Sequence, residues 1–171
     1  MIVFMAGFPF SGKSYVLEAI LSKIAKEVLV ICPKDYRDDN LKLKKEDQCK
    51  MDIAAWDVSL EALWEHMQRV DDTELIFFDT ACASLAYMRY YFEGAKRFGH
   101  NVGYIYVQAN LAECKKRAND KWLPQDVLKR YKKKFIESIE PLIKLSDWHF
   151  IIKNNLYDHV PDVSKIVTLL S

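Results

Sequence analysis

Ile2-Val-Phe-Met-Ala-Gly7-Phe-Pro-Phe-Ser-Gly12-Lys13-Ser14 is the stretch that decides the fold. Ile2 to Ala6 is an apolar run without a polar interruption, as a strand covered on both faces requires. Gly7 to Ser14 then fits G-x-x-x-x-G-K-[ST], and a helical pattern follows to about Lys26. The spacing has a physical reason. A loop that turns its backbone N–H groups inward around phosphate oxygens needs glycine for the close approach and the unusual dihedrals. The helix N-terminus behind it adds partial positive charge. Lys13 then reaches the β- and γ-phosphates, and the Ser14 hydroxyl ligates Mg²⁺. Gly7, Pro9, Ser11, Gly12, Lys13, Ser14 and Tyr15 are the candidate nucleotide-binding residues, with ATP and Mg²⁺ the expected ligands. The alternative is a chance glycine-rich turn, which a strand before and a helix after make a poor fit.

Outward from this loop, short apolar runs alternate with longer amphipathic stretches. Val28 to Cys32 is a second run, stopped by Pro33, and residues 34–50 are polar and irregular. Leu60, Leu63, Trp64 and Met67 recur at helical spacing. Glu74 to Phe78 reads as a third strand, Leu85 to Phe98 as a helix closed by Gly99, and Val102 to Val107 as a fourth strand. A short helix over 111–118 and a loop from Asn119 to Pro124 come next. Val127, Leu128, Tyr131, Phe135, Ile139 and Leu142 mark one face of a long helix, before a fifth strand at Trp148 to Ile152 and a closing helix at Asp162 to Leu170. Strands separated by helices imply an α/β fold with a parallel sheet and helical crossovers. No repeat, low-complexity tract or linker divides residues 1–171, so one domain is expected.

The chain is 50% hydrophobic and 29% charged, with 25 basic and 24 acidic residues, which excludes a disordered chain. No apolar run reaches the roughly 18 residues of a membrane span, and the apolar N-terminus lacks the flanks of a signal peptide. Four cysteines without paired spacing read as reduced thiols, with Cys32 and Cys82 expected to be buried, and the expected location is cytoplasmic. The near-neutral total conceals an uneven distribution. Residues 113–134 carry nine basic residues against three acids, a local charge of +6, so the remainder sums to −5.

Three carboxylate or basic positions extend the site. Asp79 ends the run Leu75-Ile-Phe-Phe-Asp79, at the strand end where open α/β sheets bind ligands, so it either joins the Mg²⁺ shell or caps the next segment. Asp35 follows the second strand in Pro33-Lys-Asp-Tyr-Arg37 and is placed to accept the proton of an attacking hydroxyl. Arg37 offers a planar fork to an acceptor phosphate. The alternative for both is a solvated charged loop. Arg117 and Lys121, four residues apart in the basic segment, are placed to supply positive charge over a transferring phosphate. Trp122 lies beside them, with base stacking and ordinary packing both open. His149 is expected to be structural.

The phosphate loop, Lys34-Asp35-Tyr36-Arg37, Phe78-Asp79-Thr80 and Lys116-Arg117 through Leu123-Pro124-Gln125-Asp126-Val127-Leu128 resemble the kinase domain of phage polynucleotide kinase, in order and approximate spacing from residue 1 to about 140. Phage hydroxymethyluracil-DNA kinases are a related class. The resemblance implies a P-loop NTPase, nucleoside-kinase-like, three-layer fold with a five-stranded parallel sheet and a short lid. It implies ATP, Mg²⁺ and transfer of the γ-phosphate to a hydroxyl on nucleic acid, DNA before RNA. The acceptor is either a 5′-hydroxyl end or a hydroxymethylated pyrimidine base in DNA. It further implies Lys13 and Ser14 at the phosphates and metal, Asp35 as general base, and Arg37 at the acceptor or transferring phosphate, with Asp79 where the family has an Asp-Thr pair at the third strand's tip. Asp79 and Trp122 are further candidates on the substrate side. Arg117 and Lys121 fall in the lid, where Lys121 stands in place of an expected arginine. The family's second, phosphatase domain has no counterpart in this length, and a phage-encoded protein of this kind would act in the host cytoplasm. Two other readings stand beside this one: a kinase of a nucleotide or other small metabolite, and a regulatory nucleotide-binding NTPase.

Overall fold

A computed structural model of the chain describes residues 1–38, 48–69, 74–81, 84–119, 125–155 and 162–171. The described residues include five strands: β1 (Ile2–Gly7), β2 (Val28–Ile31), β3 (Leu75–Asp79), β4 (Val102–Gln108) and β5 (Trp148–Lys153). They form one sheet in the order β2-β3-β1-β4-β5, and every pairing is parallel. The helices are α1 (Lys13–Leu21), α2 (Asp35–Asp38), α3 (Gln48–Gln68), α4 (Leu85–Arg97), α5 (Leu111–Ala118), α6 (Gln125–Leu145) and α7 (Ser164–Leu170). The expected α/β architecture and five-stranded parallel sheet are therefore present.

The uninterrupted apolar runs are explained by a core on each face of the sheet. Successive side chains of a strand point to opposite faces. Ile2, Phe4 and Ala6 of β1 join Ile76, Phe78, Val102 and Tyr104 beneath α3, α4 and α6, through Leu60, Leu63, Met88, Phe92 and Leu142. Val3 and Met5 join Leu75, Phe77, Ile105, Val107 and Ile152 beneath α1 and α7, through Val16, Leu17, Ile20, Ile166 and Leu170. All six residues of β1 are buried, as befits the central strand. Phe4 stacks on Phe92 at a centroid distance of 4.2 Å, so the first core is aromatic at its middle.

Two glycines show how close the layers pack. A Cβ on Gly103 would collide with the Trp148 ring, and one on Gly94 would meet the Trp64 ring at 2.7 Å. Both permit a large aromatic to lie flat against backbone.

Several boundaries depart from the sequence reading. α1 stops at Leu21 rather than near Lys26, because Ser22, Lys23 and Ile24 close it in turns. The polar stretch 34–50 is not wholly irregular: it contains α2 and the start of α3. β5 runs one residue beyond Ile152, and α7 begins at Ser164 rather than Asp162. His149 is exposed on β5, and Cys32 is half-buried, so neither is a core residue; Cys82 lies outside the described residues. Among the described residues, no helix is long and apolar enough to cross a membrane.

Candidate active site

The sheet delivers the carboxyl ends of β1, β2 and β3 to one edge, and the candidate residues gather there. β1 ends at Gly7, and the loop returns through Phe8 to Gly12 before α1 begins at Lys13. The loop takes its shape from its backbone. Ser11 N–H donates to the Phe8 carbonyl at 2.9 Å, and Gly12 adopts φ +90°. Phe10 also lies in the left-handed region, at φ +65°, where a non-glycine residue carries backbone strain. Gly7 is hemmed in: a Cβ there would meet the Ser11 hydroxyl and the Val107 carbonyl at 2.6 and 2.7 Å. The motif's two glycines are thus required by space at one end and by dihedral at the other. Phe8 is buried against Tyr131 and Phe135, which ties the loop to α6.

Lys13 Nζ donates to the Gly7 carbonyl at 3.1 Å and so lies across the mouth of the loop. Ser14 Oγ donates to Asp79 Oδ2 at 3.3 Å, which brings the end of β3 to the start of α1. The Asp79 Oδ1 atom is buried and accepts no hydrogen bond. Burial raises the Asp79 pKa above the ordinary carboxylate value; Lys13 and the Ser14 hydroxyl oppose the rise, and Asp35 adds to it. The Asp35 charge is therefore felt at Asp79, which sets the two carboxylates in one electrostatic neighbourhood.

These residues fit a magnesium ion. A hard cation takes oxygen ligands, and Mg²⁺ commonly uses one or two protein oxygens with the rest from phosphates and water. The Ser14 hydroxyl and the unsatisfied Asp79 oxygen supply that donor set. A buried carboxylate with a vacant lone pair is costly without a cation, and a bound cation removes the cost.

A cavity of about 680 Å³ opens from this point. Lys13, Ser14 and Asp79 line one end, and Ile53, Trp56, Asp57, Tyr87 and Tyr131 line its walls. Pro9, Cys32, Pro33, Lys34, Thr80 and Ala81 complete the lining. Burial raises the Cys32 thiol pKa, with backbone N–H groups of Lys34 and Asp35 opposing the rise and the Asp79 and Asp35 charges adding to it. Asp35 opens α2 immediately beyond Lys34 and is exposed, with its N–H donating to the Cys32 carbonyl at 3.0 Å.

Arg117 lies behind the loop, near the end of α5. Its Nη1 donates to the Ser11 carbonyl at 2.9 Å, its Nη2 to the Asn154 carbonyl at 3.0 Å, and its Nε to Glu113 Oε1 at 3.0 Å. Asn154 Nδ2 donates to the same Ser11 carbonyl at 2.8 Å. The expected place of Arg117 is over the transferring phosphate; the observed bonds grip the loop's backbone instead. Tyr15 is exposed on the outer surface of α1 beside Glu18 and Ala19, away from the cavity lining. Lys121 and Trp122 lie outside the described residues, as does the side chain of Arg37.

Sequence reading missed Trp56, Asp57, Tyr87 and Tyr131 as cavity walls, and Asn154 as a loop contact. Tyr131 carried a weak signal, since it falls on the apolar face of α6 and still reaches the site. Nothing local marked Asn154, which meets Ser11 from 143 residues away.

No protein-family model matches the sequence, and no curated protein shows significant similarity to it. Solved structures do match. One is a protein from Chloroflexus aurantiacus described as a kinase by inference, at 11% identity and a TM-score of 0.71, covering 99% of this chain and 95% of that one. A sugar kinase from a Janibacter species aligns at 15% identity and a TM-score of 0.59, covering 98% and 90%. A structure from the PezAT chromosomal toxin-antitoxin system of Streptococcus pneumoniae aligns at 12% identity and a TM-score of 0.68, covering 90% and 68%. At these identities the likeness is one of fold, and two of these three structures are described as kinases.

Proposed function

We propose that the chain is an ATP-dependent phosphotransferase that moves a γ-phosphate to a hydroxyl on a small molecule held in the cavity beside the phosphate loop. One observation carries this reading: Lys13, Ser14 and Asp79 share a single cavity with the aromatic walls Trp56, Tyr87 and Tyr131. Nucleotide hydrolysis alone has no need of such aromatic walls beside the phosphate loop. At about 680 Å³ the cavity falls within the usual range for small-molecule sites. The fold likeness to a sugar kinase supports an acceptor of that size.

The residues divide the work. The loop's backbone N–H groups and Lys13 bind the phosphate chain and offset its charge. Ser14 and Asp79 would hold Mg²⁺, which when bound neutralises phosphate charge and orients the chain. Asp35, on the acceptor side of the sheet edge, takes the proton of the attacking hydroxyl. Trp56, Tyr87 and Tyr131 give flat apolar faces to the body of the acceptor, which suits a ring-bearing alcohol such as a sugar or nucleoside.

A second reading rests on a specific observation. Lys129, Lys132, Lys133 and Lys134 are exposed along α6, the helix that supplies Tyr131 to the cavity. With the resemblance to phage polynucleotide kinase, that basic row supports a nucleic-acid acceptor whose terminal nucleoside or modified base enters the same chamber. Incubation with labelled ATP and Mg²⁺ against sugars, nucleosides, nucleotides, 5′-hydroxyl oligonucleotides and hydroxymethyluracil DNA separates the readings. Label on free small alcohols is the expected result. Label confined to polymers transfers the assignment to a polynucleotide kinase, and acceptor-independent hydrolysis alone makes the chain a regulatory NTPase.

A further inference from the structure

The Ser11 carbonyl receives two side-chain donors from distant parts of the chain. Arg117 Nη1 reaches it at 2.9 Å and Asn154 Nδ2 at 2.8 Å. The two donors are themselves joined, because Arg117 Nη2 bonds the Asn154 carbonyl at 3.0 Å. Both are held from behind. Glu113 pairs with Arg117 Nε, and the two side chains are only 12% and 14% exposed. Glu113 N–H is capped by Asn110 Oδ1 at 2.7 Å, and Asn110 N–H is bound by Asn155 Oδ1 at 2.9 Å. Asn154 N–H continues the sheet by donating to the Gln108 carbonyl at 2.8 Å.

We propose that Arg117 and Asn154 are positioning residues of the phosphate loop, acting together through the Ser11 carbonyl to aim the Gly12 N–H at a bound polyphosphate. The geometry of the peptide unit makes the connection. In a trans peptide the C=O and the following N–H point in opposite directions within one plane. A grip on the Ser11 oxygen from outside the loop therefore fixes the direction of the Gly12 N–H. Two donors on the oxygen, one of them charged, also polarise the unit and strengthen its N–H as a donor. Gly12 suits this arrangement: its φ is +90°, and a Cβ would collide with the Asn154 amide. Lysine in place of Arg117 presents one point charge, with no fork to span Ser11, Asn154 and Glu113 together.

The proposal rests on the loop's role as a phosphate site, and two independent measurements keep the two ideas apart. The first is amide hydrogen exchange at Ser11, whose N–H donates to the Phe8 carbonyl across the loop, in the nucleotide-free protein. Arg117→Ala and Asn154→Ala each accelerate it about tenfold, with β1 and β4 amides unchanged. Unchanged exchange at Ser11, or acceleration spread equally over the sheet, overturns the proposal whatever the protein binds. The second is calorimetric binding of ADP, ATP and inorganic tripolyphosphate. Arg117→Ala weakens all three by about tenfold, Arg117→Lys by less, and the double variant by less than the product of the two single losses, since both donors share one acceptor. Loss of ADP and ATP with tripolyphosphate unchanged assigns Arg117 to the base and overturns the proposal. Loss of ATP and tripolyphosphate with ADP unchanged assigns it to the γ-phosphate and does the same. Failure of the wild-type chain to bind any of the three refutes the phosphate-site reading, and the exchange result then still decides whether Arg117 and Asn154 hold the loop.

Discussion

The proposed donor and acceptor sides of this cavity are built by different physics. The donor side is a tight loop with short hydrogen bonds and buried polar atoms, wedged between the central strand and two distant latches. The other side is aromatic surface and exposed charge, contributed by Trp56 and Asp57 of α3 and Tyr87 of α4, with Asp35 exposed at the start of α2 just outside the lining. On the proposed reading the first presents fixed dipoles to a polyphosphate. The second would fit an acceptor by surface contact with a few polar groups. The contrast teaches that chemistry common to many proteins lies in backbone geometry, and chemistry particular to one lies in side-chain walls.

The comparison breaks most completely at Lys13. Lys13→Ala is expected to lower kcat/KM by about 1,000-fold, because a charge that faces the phosphates is lost from a preorganised site. Circular dichroism should remain that of the wild type, since α1 keeps its other residues. A smaller loss should come from Asp35→Asn, about 100-fold in kcat, within the usual contribution of a general base. ADP affinity measured by calorimetry should be unchanged in that variant, and a parallel loss would place Asp35 on the donor side instead.

Trp56→Ala sharpens the division from the other direction. It should raise the acceptor KM about tenfold and leave the KM for ATP within a factor of two, as expected when one aromatic wall is removed from the acceptor alone. Some stability is lost as well, because Trp56 also packs on Phe78 at 5.9 Å. Unequal effects on the two substrates are the informative result.

The smallest effect is at Asp79, and it has the opposite sign for stability. Burial holds this carboxyl above its ordinary value of 3.8, so the folded chain binds its proton more tightly than the unfolded chain. As pH rises from the ordinary value through the raised one, the native state holds more protons than the unfolded state, and stability falls across that window. Asp79→Asn should abolish this fall and stabilise the metal-free protein at neutral pH by about 1 kcal/mol, read as a higher Tm. Millimolar Mg²⁺ with ADP should raise the Tm of the wild type more than that of the variant.

The same contrast explains what could be read from the sequence. The donor side was legible because its chemistry is contiguous: Gly7 to Ser14 turn, bind and start a helix within eight residues. The parallel sheet was legible because β1, β3 and β4 are covered on both faces and lose their polar alternation. α2 was hidden in a polar stretch, since four residues with mixed charge carry no period. Trp56 and Tyr87 were not legible as site residues, because a wall of a cavity and a wall of a core ask for the same side chains. The Arg117 grip on Ser11 was not legible: it depends on the pairing that sets β4, which leads into α5, beside β1, and no local pattern encodes that neighbour.

The position of each strand in the sheet has a last consequence, for the order in which function would fail. β1, which ends in the phosphate loop, is the middle strand and is buried throughout, whereas β2, which leads to Asp35, is an edge strand with three of its four residues only partly buried. Edge elements detach in partial openings that leave a sheet's centre intact. Under mild denaturant the chain should therefore pass through a state that keeps the phosphate loop in place but has released Asp35, the proposed general base. Such a species would hold ATP without spending it.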